Sequence, residues 1–209
     1  MKARVYKSTG SWYILKDQQG HQYNGRIKGV LKIDDITSTN PIAVGDWVEA
    51  EMENELEDTI TITRIDDRKN YIARVSPHKK IQHHIIASNL DQALLFATLR
   101  EPRTSLGFID RFLITAEAYH IPAIIVFNKA DIYRAKEMEK YAEWEKMFTD
   151  IGYTVALVSV KDGQGISGLK EMLQHKTTLI SGHSGVGKST FINAVFPEMA
   201  LRTQEVSGW

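Results

Sequence analysis

The stretch of sequence that decides the fold is TTLISGHSGVGKST, at residues 177–190. Its second half, residues 182–189, matches the pattern G-x-x-x-x-G-K-S/T, which forms a phosphate-binding loop where it joins a strand to a helix. The glycines let the backbone curl so that successive N–H groups point at phosphate oxygens, and the following helix adds its positive N-terminal dipole. We therefore predict a phosphate-binding loop here. A glycine-rich turn that binds nothing is the alternative.

The positions of this loop have different expected roles. Lys188 is predicted to reach the β- and γ-phosphates of a nucleotide, and the Ser189 hydroxyl is predicted to ligate Mg²⁺. His183 and Ser184 occupy variable positions, where only their backbone N–H groups are expected to act. The predicted nucleotide-binding residues of the loop and the helix start are Gly182, His183, Ser184, Gly185, Val186, Gly187, Lys188, Ser189 and Thr190.

Upstream of this loop, apolar strands alternate with amphipathic helices. The strands are predicted at 93–99, 123–127, 154–158 and 177–181, and the helices at 109–120, 133–151, 166–173 and 188–196. Gly152 is predicted to end the second helix. Such alternation indicates parallel β-α-β units with right-handed crossovers, in which ligands bind at the carboxyl ends of the strands.

A polar loop follows the strand at 123–127 and consists of Asn128, Lys129, Ala130 and Asp131. A carboxylate such as that of Asp131 can accept hydrogen bonds from the ring N–H and the exocyclic amine of guanine. Adenine lacks this donor pair and would leave buried polar groups unpaired. The Lys129 stem is expected over the base and ribose, and Asn128 is expected to brace neighbouring loops. A polar helix start capped by Asp131 is the alternative.

A third loop follows the strand at 154–158 and begins with Ser159, Val160 and Lys161. A Ser-x-Lys turn at this position can present a backbone N–H to the guanine oxygen. An ordinary strand-to-helix turn is the alternative. Together the three loops predict a guanine-nucleotide site at one edge of the sheet.

The first seventy or so residues have an all-β pattern. Strands are predicted at 5–6, 11–15, 22–23, 30–33 and 59–65, and the last alternates with the period of two that a half-buried strand requires. Residues 44–50 are predicted to be a turn that leads into an alternating strand. The acidic stretch at 51–58 is predicted to be a solvated hairpin loop. About five short strands in this length favour a small barrel such as an OB-fold.

Composition excludes several classes of protein. Lys and Arg total 26, as do Asp and Glu, so no global positive field draws the chain onto nucleic acid. The 43% hydrophobic and 25% charged residues exclude a mostly disordered chain. The absence of cysteine excludes disulfides and thiolate zinc sites within these residues. No apolar run approaches the length of a membrane span, so we expect a cytoplasmic protein that does not contact membranes.

The three loops resemble GTPase signatures, with Val160 where alanine is usual, but here the base loops precede the phosphate loop. That order resembles a circularly permuted GTPase. The stretches VGDWV at 44–48, IIASNLDQ at 85–92 and FIDRFL at 108–113 add to the likeness. Over essentially all 209 residues the chain closely resembles the RsgA (YjeQ) family of small ribosomal subunit-dependent GTPases.

The resemblance implies an N-terminal OB-fold barrel that binds RNA or the ribosome, at 1–72, and a circularly permuted α/β P-loop GTPase domain with a parallel sheet, at 73–209. It implies a GTP- and GDP-binding, Mg²⁺-dependent factor that acts in late maturation of the small (30S) subunit, binds rRNA and hydrolyses GTP. A monomer is expected.

The family also has a switch I with a proposed water-activating histidine, a D-x-x-G switch II and a C-terminal zinc domain. None of these follows Ser189 in this sequence, so the fold is expected to be C-terminally incomplete. Zn²⁺ is expected for the family, but its ligands are absent here. No catalytic residue is therefore predicted in this chain, which alone is expected to turn over GTP poorly.

Basic residues at the predicted domain junction suit contact with an RNA backbone. The candidates are Arg74, Lys79 and Lys80, with a solvated linker as the alternative. Trp12, Tyr13 and Trp47 are candidates for base stacking, with burial in the core as the alternative.

Two other functions remain open at this point. A P-loop ATPase or kinase with an accidental N-K-x-D would bind ADP at least as tightly as GDP. A nucleotide-gated RNA-binding protein without catalysis would bind both GDP and GTP but show no stimulated turnover.

Overall fold

The structure is a computed structural model that describes residues 1–27, 41–75 and 83–201, without the side chains of the strand residues at 74, 75, 83 and 84. The strand predicted at 30–33 and the side chains of Arg74, Lys79 and Lys80 lie outside this description. The chain divides into two compact units between Leu90 and Asp91.

The first unit is built on a closed barrel of five strands. These are β1 (Lys2–Ser8), β2 (Tyr13–Asp17), β3 (Gln22–Ile27), β4 (Trp47–Asn54) and β5 (Thr59–Ile65). Their order around the barrel is β1-β2-β3-β5-β4, with β3 and β5 parallel and β1 and β4 closing it antiparallel. The small OB-like barrel predicted from the strand pattern is confirmed.

Alternation along the strands fills the barrel. In β5, Ile60 and Ile62 are fully buried while Thr61 and Thr63 face outwards. The buried core consists of Ala3, Val5, Tyr13, Leu15, Ile42, Val48, Ala50, Ile60 and Ile62. The acidic stretch predicted as a loop at 51–58 is only partly one. Residues 51–54 continue β4, because its antiparallel pairing with β5 runs as far as Asn54 opposite Thr59, and the turn is confined to 55–58. Most of the stretch is exposed, and Leu56 in the turn is 97% exposed.

A hairpin of β6 (Tyr71–Val75) and β7 (His83–Ser88) belongs to the same unit. Its anchor is the fully buried carboxylate of Asp46, which accepts hydrogen bonds from Arg68 Nε at 2.7 Å and Ser88 Oγ at 2.5 Å. The Ser88 N–H also donates to the carbonyl of Val44 at 2.9 Å. The first compact unit, with the barrel and this hairpin, extends to Leu90.

The second unit contains a parallel sheet with strand order β10-β9-β8-β11. Its strands are β8 (Gln92–Ala97), β9 (Ala123–Phe127), β10 (Thr154–Leu157) and β11 (Thr178–Ser181). Its α-helices are α1 (Leu106–Ala118), α2 (Ala135–Asp150), α3 (Ile166–Leu173) and α4 (Lys188–Val195), with 3-10 turns at Ala130–Ile132 and Pro197–Met199. The predicted alternation is confirmed, and Gly152 follows α2 with a φ of +95°.

Both faces of this sheet are covered, so all six residues of β8 are buried. Leu95, Ile125 and Phe127 pack towards side chains of α1 and α2, whereas Leu94, Phe96 and Val126 pack towards those of α3 and α4. Among the helices in the described ranges, none is long and apolar enough to span a membrane.

Candidate nucleotide-binding site

The phosphate loop joins β11 to α4, and it lies tightly against the ends of two neighbouring strands. Gly182 has a φ of +141°, and a Cβ there would stand 2.3 Å from the carbonyl oxygen of Phe96. Gly187 has a φ of +97°, and a Cβ there would stand 2.3 Å from Asn128 Nδ2. Only glycine fits both the backbone angle and the space at these positions.

The Lys188 ammonium folds back over this loop. Its Nζ donates hydrogen bonds to the carbonyls of Gly182 at 2.8 Å and His183 at 2.5 Å. Burial lowers the pKa of Lys188. The half-buried Ser189 follows in the first turn of α4, and its hydroxyl oxygen is a ligand of the hard type that Mg²⁺ accepts. The loop therefore brings the Lys188 ammonium and the Ser189 hydroxyl to the start of α4.

Asn128 joins the three predicted loops. The residue is 2% exposed, and its Nδ2 donates to the carbonyl of Val186 in the phosphate loop at 2.9 Å. Its Oδ1 accepts the backbone N–H of Val160 in the third loop at 3.2 Å. The bracing contact expected of Asn128 is therefore present, and the Val160 N–H is engaged by it.

The carboxylate of Asp131 is held by the third loop. Ser159 Oγ donates to Asp131 Oδ1 at 3.0 Å and accepts the N–H of Asp162 at 3.3 Å. Lys161 Nζ lies 3.9 Å from Asp131 Oδ2. Asp131 does not cap α2, which begins at Ala135 and whose N-cap N–H, that of Arg134, donates to Glu137 Oε2.

Lys129 has a left-handed backbone with a φ of +67°. Its ammonium donates to the carbonyl of Glu101, in the loop between β8 and α1. The Lys129 side chain therefore reaches the loop that follows the carboxyl end of β8.

Two side chains of the site were not singled out from the sequence. The Tyr133 hydroxyl donates to the carbonyl of Asn128 at 2.7 Å and accepts the N–H of Leu99 at 2.9 Å, and burial raises the pKa of Tyr133 to about 12. Phe108 stacks on the ring of His183, with centroids 3.7 Å apart, so the side chain of His183 also has a contact. The helix predicted at 133–151 includes Tyr133, but α2 begins at Ala135 and Tyr133 is extended, with a ψ of 134°. Neither contact has a local sequence signal.

No three His, Asp or Glu side chains of the described residues are grouped so as to hold a metal ion. The loops at 128–131, 159–161 and 182–189 nevertheless converge through Asn128 and Asp131. The arrangement places a glycine-rich loop with a lysine beside an oriented carboxylate, whose oxygens can accept hydrogen bonds.

Two family models match the chain. The RsgA N-terminal domain matches residues 2–60, and the RsgA GTPase matches residues 65–209. The chain belongs to the RsgA GTPase family. This RsgA-family chain is 50% identical over 208 residues to the small ribosomal subunit biogenesis GTPase RsgA of Flavobacterium psychrophilum, covering 99% of this chain and 64% of that protein. Its counterpart in Cytophaga hutchinsonii is 47% identical, with 92% of this chain and 63% of that protein covered.

Solved RsgA-type structures share the fold. The crystal structure of YjeQ from Thermotoga maritima has a TM-score of 0.78 and 30% identity, covering 97% of this chain and 67% of that one. YloQ, described as a circularly permuted GTPase, has a TM-score of 0.70 and 29% identity, covering 94% and 64%. The permuted order predicted from the loops is therefore confirmed. The RsgA-family chain spans about 64% of the length of the first of these relatives.

Proposed function

We propose that this chain binds guanine nucleotides at the three loops and acts as a GTP-hydrolysing factor in biogenesis of the small ribosomal subunit. The observation that carries the proposal is the pair of hydrogen bonds by which Asn128 joins the phosphate loop to the third loop. Relatives that carry the name small ribosomal subunit biogenesis GTPase support the cellular role.

Different residues of the site would bind different parts of the nucleotide. Loop N–H groups and Lys188 would bind the β- and γ-phosphates, with Lys188 exchanging its two carbonyl partners for phosphate oxygens. Ser189 would ligate Mg²⁺, which when bound neutralises charge on those oxygens. Asp131, oriented by Ser159, would accept the two guanine donors. Within the described ranges we propose no residue that activates water, so GTP hydrolysis by this chain is expected to be slow. None of the binding roles proposed above involves zinc.

The barrel supports the proposed contact with rRNA. Cations lie over three of its aromatic rings: Lys16 over Tyr6 at 5.2 Å, Arg26 over Trp12 at 5.7 Å and Lys2 over Trp47 at 5.5 Å. Trp12 is 45% exposed, as a base-stacking side chain must be, whereas Tyr13 is buried in the core. We further propose a cytoplasmic monomer that contacts no membrane.

Competition of GDP and ADP against a fluorescent GDP analogue, with Mg²⁺, tests the nucleotide assignment. GDP should bind at least about a hundredfold more tightly than ADP, because adenine does not offer Asp131 the pair of N–H donors that guanine does. Equal competition by ADP would favour a P-loop ATPase instead.

Co-sedimentation with small ribosomal subunits over a salt series tests the partner. Binding that weakens steeply with salt is expected for contacts to an rRNA backbone. Stimulation of GTP hydrolysis by the subunits would distinguish an enzyme from a nucleotide-gated binding protein.

A further inference from the structure

We propose that Tyr133 is a positioning residue for guanine recognition, whose hydroxyl fixes the loop carrying Asp131 to the end of the neighbouring strand. The inference rests on the proposed function, because it assumes that Asp131 reads the base. Tyr133 acts through the loop at 128–132 and not by touching the nucleotide.

The hydroxyl of Tyr133 closes this loop at both ends. It donates to the carbonyl of Asn128, the first residue after β9, at 2.7 Å. It accepts the N–H of Leu99, two residues beyond the end of β8, at 2.9 Å. Tyr133 itself is extended, with a ψ of 134°, between the 3-10 turn at Ala130–Ile132 and the start of α2. One hydroxyl therefore joins the beginning and the end of the loop to the adjacent strand.

The conformation of this loop needs such external contacts. Lys129 adopts a left-handed backbone, which is unfavourable for a residue with a side chain. Asp131 lies between that residue and Tyr133, so its carboxylate follows any movement of the loop. The Asn128 side chain fixes the loop to its two neighbours, and the Tyr133 hydroxyl fixes the backbone of the same residue.

The hydroxyl, more than the ring, makes this connection. Leu99 is 5% exposed and Asn128 is 2% exposed, so their backbone groups have little access to water. Tyr133→Phe keeps the ring but leaves a buried N–H without its acceptor and removes the donor from a buried carbonyl. Relaxation of the loop to satisfy those groups would displace Asp131 from the guanine edge.

Tyr141 offers a matched control in the same unit. It is a buried tyrosine on α2, and its hydroxyl donates to Glu145 Oε1 at 2.7 Å, one turn along the same helix. Tyr141→Phe therefore removes a hydroxyl hydrogen bond of similar length without altering a bond to the base-reading loop.

The test measures the dissociation constants of GDP and ADP for the wild-type chain, Tyr133→Phe and Tyr141→Phe, with thermal unfolding of each. Tyr133→Phe should weaken GDP binding about tenfold and change ADP binding less than about twofold, since the cost of unpaired buried groups falls on base reading. Tyr141→Phe should leave the ratio of the two constants unchanged. The proposal would be overturned if Tyr133→Phe left the ratio of the GDP and ADP dissociation constants unchanged. It would also be overturned if Tyr141→Phe weakened GDP binding as much as Tyr133→Phe does.

A second measurement uses the wild-type chain only. Hydrogen exchange of the Leu99 amide should slow when GDP binds and should not respond to ADP, because GDP stabilises the loop that holds Tyr133. The same exchange rate with and without GDP would overturn the positioning role. Failure of the wild-type chain to prefer GDP over ADP would instead overturn the proposed function itself.

Discussion

At the residue scale, the site depends on a few side chains that satisfy one another in a small volume. Asn128 uses its amide N–H and its amide oxygen on two different loops, and Ser159 donates to Asp131 while accepting from Asp162. Buried polar groups that are paired in this way have fixed positions, because any displacement leaves one of them without a partner. The Asp131 carboxylate is consequently oriented before a ligand arrives.

Gly187→Ala should disrupt the Asn128 bridge. Its Cβ would meet Asn128 Nδ2, whereas Gly163, with a φ of +78°, has open space around it. Both substitutions should destabilise the fold by about 1 kcal/mol through the left-handed backbone. Only Gly187→Ala should also weaken GDP binding, by at least about tenfold, as unpaired buried groups cost about 1–3 kcal/mol. Equal GDP affinities of the two variants in a calorimetric titration would contradict this reading.

The stability of the chain should depend on Tyr133 at high pH. Its pKa is raised to about 12 in the folded chain, so the neutral phenol stabilises the fold below the ordinary tyrosine pKa near 10. That contribution, of about 3 kcal/mol, should be lost as the pH rises from about 10 towards 12. In urea unfolding over this pH range, the free energy of unfolding should fall less for Tyr133→Phe than for wild type. Identical falls would contradict a raised pKa of Tyr133 in the folded chain.

At the scale of elements, the parallel strands bring the three loops to one edge of the sheet, while the barrel and its hairpin are fixed through Asp46. The pair of Asp46 with Arg68 is buried, with side chains 0% and 9% exposed. Lys146 and Asp150 form an exposed pair one turn apart on α2, with side chains 76% and 60% exposed. Burial should make the first pair far more sensitive to loss of one partner.

Asp46→Asn should lower the free energy of unfolding of the first unit by about 3–5 kcal/mol, because Arg68 is left with an uncompensated buried charge. Lys146→Ala should change the stability of the second unit by less than about 0.5 kcal/mol. Denaturant unfolding followed by tryptophan fluorescence measures both values. Similar changes in the free energy of unfolding for the two substitutions would show that burial does not increase the contribution of the Asp46–Arg68 pair to stability.

At the scale of the whole molecule, periodicity predicted most of the architecture. The continuous apolar run in β8 indicated a strand buried on both faces, and the alternation in β5 indicated one side of a barrel. The loop motifs predicted which loops would come together, and the hydrogen bonds of Asn128 and Asp131 show that they do. The role of Tyr133 was not predictable, since its hydroxyl bonds to Leu99, 34 residues away in sequence. The extent of the first unit likewise depends on the contact of Asp46 with Ser88, 42 residues apart.

The most direct test of guanine recognition is the nucleotide preference of Asp131→Asn. An asparagine amide can donate to the 2-oxo group of xanthine, at the position where the wild-type carboxylate would accept from the 2-amino group of guanine. For wild type, GDP and xanthosine diphosphate (XDP) compete against a fluorescent GDP analogue. For the variant, the same two nucleotides compete against a fluorescent XDP analogue, with Mg²⁺ present in both assays. Wild type should prefer GDP, and the variant should prefer XDP. A variant that still binds GDP as tightly as wild type would contradict base reading by Asp131.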